Sequence, residues 1–154
     1  MQMIFVCTGN TCRSPLAEAA WYDLTKDKQK EVKGLHVSTA GLAPYINAPA
    51  APQSIAIAKE WGIDLSGHRS KQLDPDVARD TEWLIVMTHE QGEAIKDVYK
   101  VKDAHVMLLG SFCNSDHFED DIADPHGGSQ EAYESCAAHI RCGVQGLVRT
   151  ICGE

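Results

Sequence analysis

No apolar run in this 154-residue sequence is long enough to cross a bilayer, and its start lacks the pattern of a secretory leader. The expectation is a cytoplasmic protein with no membrane contact. Basic residues are scarce, 14 Lys and Arg against 22 Asp and Glu, for a formal net charge of −8. That balance argues against a general nucleic-acid binder. It does not argue against an anionic substrate, because a local cradle of donors can outweigh net charge. Internal repeats, low-complexity segments and linkers are missing, so residues 1–154 read as a single domain, large enough for a substantial core. None of the seven histidines falls at metal-ligand spacing, and the six cysteines do not read as a zinc site. No metal and no cofactor is expected. A chain of this size without a leader does not need covalent staples, so Cys113, Cys136, Cys142 and Cys152 read mostly as free thiols.

What is present is concentrated near the start, in Ile4-Phe5-Val6-Cys7-Thr8-Gly9-Asn10-Thr11-Cys12-Arg13-Ser14-Pro15. An apolar run ends in a cysteine, a short polar loop follows, and Ser14 and Pro15 suit the N-cap and first turn of a helix. Free backbone N–H groups and the helix dipole make such a strand-to-helix junction a site for anions. Gly9 and Asn10 both tolerate positive φ and suit a loop that curls its N–H groups inward. A thiol placed there meets positive potential, which favours the thiolate. Arg13 presents a planar fork that holds two oxygens of a phosphate-like group. Nucleophile and transition-state cradle thus lie in one segment. A buried structural cysteine followed by a surface arginine is the plainer reading, but it leaves the glycine, asparagine, serine and proline at that junction without a purpose.

Along the chain, short apolar runs alternate with helical patterns. Strands are predicted at Met3–Val6, Leu35–Ser38, Trp83–Met87 and His105–Leu109. Helices are predicted from about Pro15, over Pro52–Trp61, from Pro75 to about Arg79 with Asp74 as cap, from a Thr88/Gln91 capping box with Ile95 and Val98 on its apolar face, and from Ser129 to Ile151. Gly143 and Gly146 in the last helix each weaken it by roughly 1 kcal/mol relative to Ala. This alternation implies an α/β fold, a three-layer α/β/α sandwich with a central four-stranded parallel sheet and flanking helices. Ligands bind such sheets beyond the carboxyl ends of the strands, where the Cys7 loop lies.

A carboxylate is the natural second group, since a poor leaving group must be protonated and water then activated. Asp116, Glu119, Asp120, Asp121 and Asp124 share one polar loop. Asp124 is favoured because Pro125 stiffens its neighbour, Gly127-Gly128 lets backbone approach the site closely, and the helix opening at Ser129 fixes the loop's exit. His126 is a weaker candidate for the mouth of the cleft.

Cys7-Thr8-Gly9-Asn10-Thr11-Cys12-Arg13-Ser14-Pro15, together with Asp124-Pro125, resembles the signature of the low-molecular-weight protein tyrosine phosphatases, and length and element order match over essentially the whole chain. The resemblance implies a cysteine-dependent protein phosphatase that acts on phosphorylated proteins through a cysteinyl phosphate and releases inorganic phosphate. Cys7 would be the nucleophile, Arg13 and the amides of residues 8–13 the phosphate cradle, and Asp124 the acid and base. Asn10 would lock the loop, and Ser14 would donate to the Cys7 sulfur. It further implies that Thr39 stands where the family often has a serine bonded to the loop asparagine, and that His68 has a structural role near the loop.

Three details resemble the family's bacterial protein-arginine-phosphatase branch. Thr11 stands where many tyrosine-directed members carry a larger aliphatic residue. His126-Gly127-Gly128 follows Asp124-Pro125 where those members often place aromatic residues. Met87-Thr88-His89 replaces their Met-Asp. The expectation leans to phosphoarginine, with phosphotyrosine as the alternative. Two rivals are an arsenate reductase and a thiol redox sensor. The first is disfavoured because Met87-Thr88 occupies the relay position and Cys113 lacks a close downstream partner. The second would use Cys7 and Cys12 as a reversible pair, most simply as protection of the enzyme.

Overall fold

Four short apolar runs become four parallel strands, β1 (Gln2–Cys7), β2 (His36–Gly41), β3 (Trp83–Val86) and β4 (Val106–Leu108). They lie in the order β2-β1-β3-β4, with Cys7 opposite Gly41 and Val6 opposite Val86. The structure is a computed structural model and describes residues 1–154. Helices α1 (Arg13–Thr25), α2 (Pro52–Glu60), α3 (Pro75–Arg79), α4 (His89–Val98) and α5 (Gln130–Cys152) fill the connections. The three-layer α/β/α sandwich expected from the sequence is what forms.

Side-chain alternation divides the core between the two faces of the sheet. Met3, Phe5 and Ile85 pack with Leu16, Ala20 and Trp21 of α1 and with Tyr133, Ile140, Val144 and Leu147 of α5. Ile4, Val6, Leu84 and Val86 pack on the other face with Ala78 of α3 and Ile95 of α4. Burial on both faces is why the strands read as unbroken apolar runs. Val98, expected beside Ile95, is instead 72% exposed.

Element ends differ from expectation for identifiable reasons. β3 stops before Met87 because the Met87 N–H donates to the Gln91 side chain (2.9 Å). The Thr88/Gln91 capping box that takes this N–H is present as read. β2 runs on to Gly41, following its partner β1 to Cys7. Helix α1 begins at Arg13, with Cys12 rather than Ser14 at its N-cap and no side-chain cap.

β4 ends at Leu108 because residues Leu109–Phe112 form a 3₁₀ turn pressed against α5. A Cβ on Gly143 would lie 2.8 Å from the Leu109 carbonyl oxygen, and one on Gly146 would collide with that of Phe112. The two glycines therefore serve close packing. The same approach corrects the reading of Cys113 and Cys142 as free thiols. They form a disulfide with Cα atoms 5.1 Å apart, so Cys113 does have a downstream partner. Cys7, Cys12, Cys136 and Cys152 are free.

No helix is long and apolar enough to cross a membrane.

Candidate active site

The chain leaves β1 toward β2 on one side, while β3 and β4 lie on the other. The crevice at this reversal opens beyond the carboxyl ends of β1 and β3, and the segment from Cys7 to Arg13 fills it. Cys7 is 2% exposed. Its Sγ lies 3.0 Å from the Ser14 hydroxyl and accepts the Asn10 N–H at 3.2 Å. Ser14 Oγ already accepts from Asn10 Nδ2 at 2.8 Å, which leaves the hydroxyl hydrogen for the Cys7 sulfur. Ser14 is thus a sulfur ligand in the first turn of α1 and not its cap. The N–H groups of Thr8, Gly9, Thr11, Cys12 and Arg13 donate to no atom of the protein.

Of the two residues read as tolerant of positive φ, Asn10 alone uses that freedom, at φ 57°. It is fully buried. Its Oδ1 accepts the Lys71 N–H (3.0 Å) and its carbonyl meets His68 Nε2 at 2.7 Å. A carbonyl only accepts, so His68 is the donor and carries its proton on Nε2. Burial pushes the His68 pKa down, in keeping with a neutral ring. Thr39 does not bond to Asn10. It lies within β2 opposite Phe5, and the backbone of Lys71 takes its expected place, because the irregular segment 64–73 bridges Gly41 at Gln72. Gly41 itself runs under the loop, and a Cβ there would lie 2.8 Å from the Thr8 carbonyl oxygen.

Arg13 is 4% exposed. Its Nη1 donates to the Ile122 carbonyl (2.9 Å) and its Nη2 lies 3.7 Å from Asp124 Oδ2. Ile122 is fully buried and its N–H donates to the Met87 carbonyl (2.9 Å). The acidic loop is therefore pinned beside β3, with Asp124 over the cradle. Asp124 Oδ1 accepts the His126 N–H (3.0 Å), and the Gly128 N–H closes a turn onto the Pro125 carbonyl (2.8 Å). Gly127-Gly128 shapes this turn more than it admits backbone to the site. Cys7 through Arg13, Ala43, Tyr45, Asp124 and His126 line a cavity of about 210 Å³. A larger groove of about 510 Å³ adjoins it, lined by Thr8, Arg13 and Asp124 and by the carboxylates of Glu90, Glu119 and Asp121.

Cys12 is 5% exposed, and burial pushes its thiol up. Its sulfur lies 3.7 Å from the Tyr133 hydroxyl, and Tyr133 is itself pushed up to about 12 by burial.

Over residues 2–154 the sequence matches a family described as low molecular weight phosphotyrosine protein phosphatase. The chain belongs to that family. It is an enzyme, a protein phosphatase. A probable low molecular weight protein-tyrosine-phosphatase, EpsP, of Ralstonia nicotianae is 31% identical over 149 residues, 97% of this chain and 94% of the relative. The protein-arginine-phosphatase of Bacillus subtilis is 32% identical over 134 residues, 87% of this chain and 85% of its own. A solved structure of the YwlE arginine phosphatase, a mutant with a phosphorylated active-site serine, superposes with a TM-score of 0.84 at 28% identity, covering 97% of this chain and 95% of that one.

Sequence reasoning missed three residues of this phosphatase site. Tyr45 reaches the mouth of the cavity and is 90% exposed. Its only signal was an aromatic residue in a Pro- and Ala-rich loop. Ile122 carries both anchors of the acidic loop but reads as a lone apolar residue among acids. Gln91 was read as a cap, and its amide also reaches Thr8 Oγ1 (3.1 Å).

Proposed function

We propose that this phosphatase hydrolyses phosphorylated protein side chains through a cysteinyl phosphate on Cys7, and that phosphoarginine is its substrate. The observation that carries the chemistry is the Cys7 sulfur, held by Ser14 and the Asn10 N–H at the base of a loop whose other five N–H groups have no partner. Those amides and the Arg13 guanidinium bind the non-bridging oxygens of the phosphoryl group and stabilise them in the transition state. Cys7 Sγ attacks phosphorus in line. The bond from phosphorus to the substrate nitrogen breaks as Asp124 delivers a proton to that nitrogen. Asp124, now a carboxylate, takes a proton from water, whose oxygen attacks phosphorus. The S–P bond breaks, the Ser14 hydroxyl donates to the departing thiolate, and inorganic phosphate leaves.

Phosphoarginine is favoured by what lines the cavity and its adjoining groove. Thr11 is small and polar. No aromatic residue follows Asp124-Pro125. Asp124 lines both the cavity and the groove, and Glu90 and Glu119 line the groove, so acidic residues border the space that a guanidinium would enter. The Bacillus subtilis relative is named for the same substrate. One observation favours phosphotyrosine instead: Tyr45 at the mouth offers a face on which a phenyl ring could stack.

A paired assay decides between them, with phosphoarginine and phosphotyrosine peptides at several concentrations and the Cys7→Ser protein as blank. A higher kcat/KM for phosphoarginine is expected. A preference for phosphotyrosine would keep the catalytic assignment and remove the substrate one. Activity surviving in Cys7→Ser would remove both.

A further inference from the structure

We infer that Gln91, on α4, is a positioning residue for the phosphate loop and acts through Thr8. Its side chain does two separate things. Oε1 accepts the N–H groups of Met87 (2.9 Å) and Thr88 (3.2 Å), which completes the capping box and ends β3. Two N–H donors on one atom fix that atom as the oxygen, so the nitrogen faces the other way. There Nε2 donates to Thr8 Oγ1 at 3.1 Å. Thr8 directly follows Cys7 and contributes one of the unpartnered N–H groups.

Capping alone does not need an amide. A glutamate caps equally well, since only the acceptor is used. The amide adds a donor, and it does so without placing a carboxylate beside a loop built to receive an anion. Gln91 is 5% exposed, so its geometry is set by packing and passes directly to Thr8. The same turn accepts the Ile122 N–H through the Met87 carbonyl (2.9 Å). The start of α4 therefore touches both halves of the site, the Cys7 loop through Gln91 and the Asp124 loop through Met87.

The inference rests on the proposed role of residues 7–13, and a double-mutant cycle tests it with Gln91→Met and Thr8→Val. The readouts are kcat/KM, the Ki of inorganic phosphate and the melting temperature. Gln91→Met is expected to lower kcat/KM roughly three- to tenfold, the worth of one neutral hydrogen bond, and to weaken phosphate binding in parallel. In the Thr8→Val background the same change is expected to lower the melting temperature again, through the lost cap, while leaving kcat/KM where Thr8→Val put it. Equal losses of kcat/KM in both backgrounds, or a loss of melting temperature alone, would overturn the proposal. If Gln91→Met does not fold, Gln91→Glu keeps both acceptor bonds, and parental kcat/KM in that variant overturns the proposal equally. Parental activity that survives in Cys7→Ser would instead overturn the reading of the loop on which this rests.

Discussion

Asn10 and Ser14 show how a few side chains turn a surface loop into a rigid receptor. Asn10 spans from Ser14 to the Lys71 backbone, its carbonyl accepts the His68 Nε2–H, and Ser14 continues the chain of bonds to Cys7. Ser14→Ala removes the donor to sulfur and leaves the buried Asn10 amide without its acceptor. A hydrogen bond to a charged group is worth about 1.5–3 kcal/mol, so kcat is expected to fall roughly ten- to a hundredfold in steady-state assays. Asp124→Asn removes the proton donor and is expected to lower kcat by about 10²–10⁴, with the protein otherwise folded as judged by its melting temperature. Asp124 is half exposed and outside the core, which is why little stability rests on it. At this scale the sequence displayed the polar residues and their chemistry, but not always their partners. The family resemblance pairs Thr39 with Asn10, yet Asn10 accepts the Lys71 N–H instead, because nothing in the irregular segment from Asp64 to Leu73 announces that it folds back beside Gly41.

Among the elements, the clearest lesson comes from α5. Helix propensity alone makes Gly146→Ala stabilising by about 1 kcal/mol. The structure reverses the sign, because the new Cβ would meet the Phe112 carbonyl, which is backbone and cannot rotate away. Overpacking of this kind costs about 1–3 kcal/mol, so Gly146→Ala is expected to lower the midpoint of urea unfolding. A raised midpoint would mean that the 3₁₀ turn yields. Element types and their order were legible because period-2 and period-3.6 patterns and the caps at Asp74, Thr88 and Ser129 are local. The short β4, the early end of β3 and the Cys113–Cys142 bridge were not legible. The end of β3 turns on a local bond, the Met87 N–H to the Gln91 side chain, that the capping-box pattern does not show, while β4 and the bridge depend on contacts between elements far apart in sequence, the bridge spanning 29 residues.

For the molecule as a whole, the acidic loop is where stability and function meet. His139 on α5 donates Nε2–H to the Glu119 carbonyl (2.7 Å) and stacks on Phe118. Burial pushes both His139 and His68 below the ordinary histidine value of 6.5. In the window just below 6.5 the unfolded chain then binds more protons than the folded one, so stability falls as pH drops through it. Above 6.5 both states are neutral and the effect vanishes. Melting temperatures measured from about pH 7.5 down to about pH 5.5 are expected to decline, and His139→Gln, which keeps a donor for Glu119, to flatten part of the slope. The disulfide closes the same region covalently, tying Cys113 at the loop's entry to α5 at its exit. A closure of this length restricts the unfolded chain by roughly 3–4 kcal/mol, so Cys113→Ser with Cys142→Ser is expected to melt about 10 °C lower. Asp124, however, is positioned by Ile122, whose N–H and carbonyl are held by Met87 and Arg13 independently of the bridge. The double variant, assayed well below its melting point, is therefore expected to keep kcat/KM within about twofold of the parent, because independent sites add without coupling. A parallel loss of kcat/KM would show that the bridge, and not Ile122, sets where Asp124 stands.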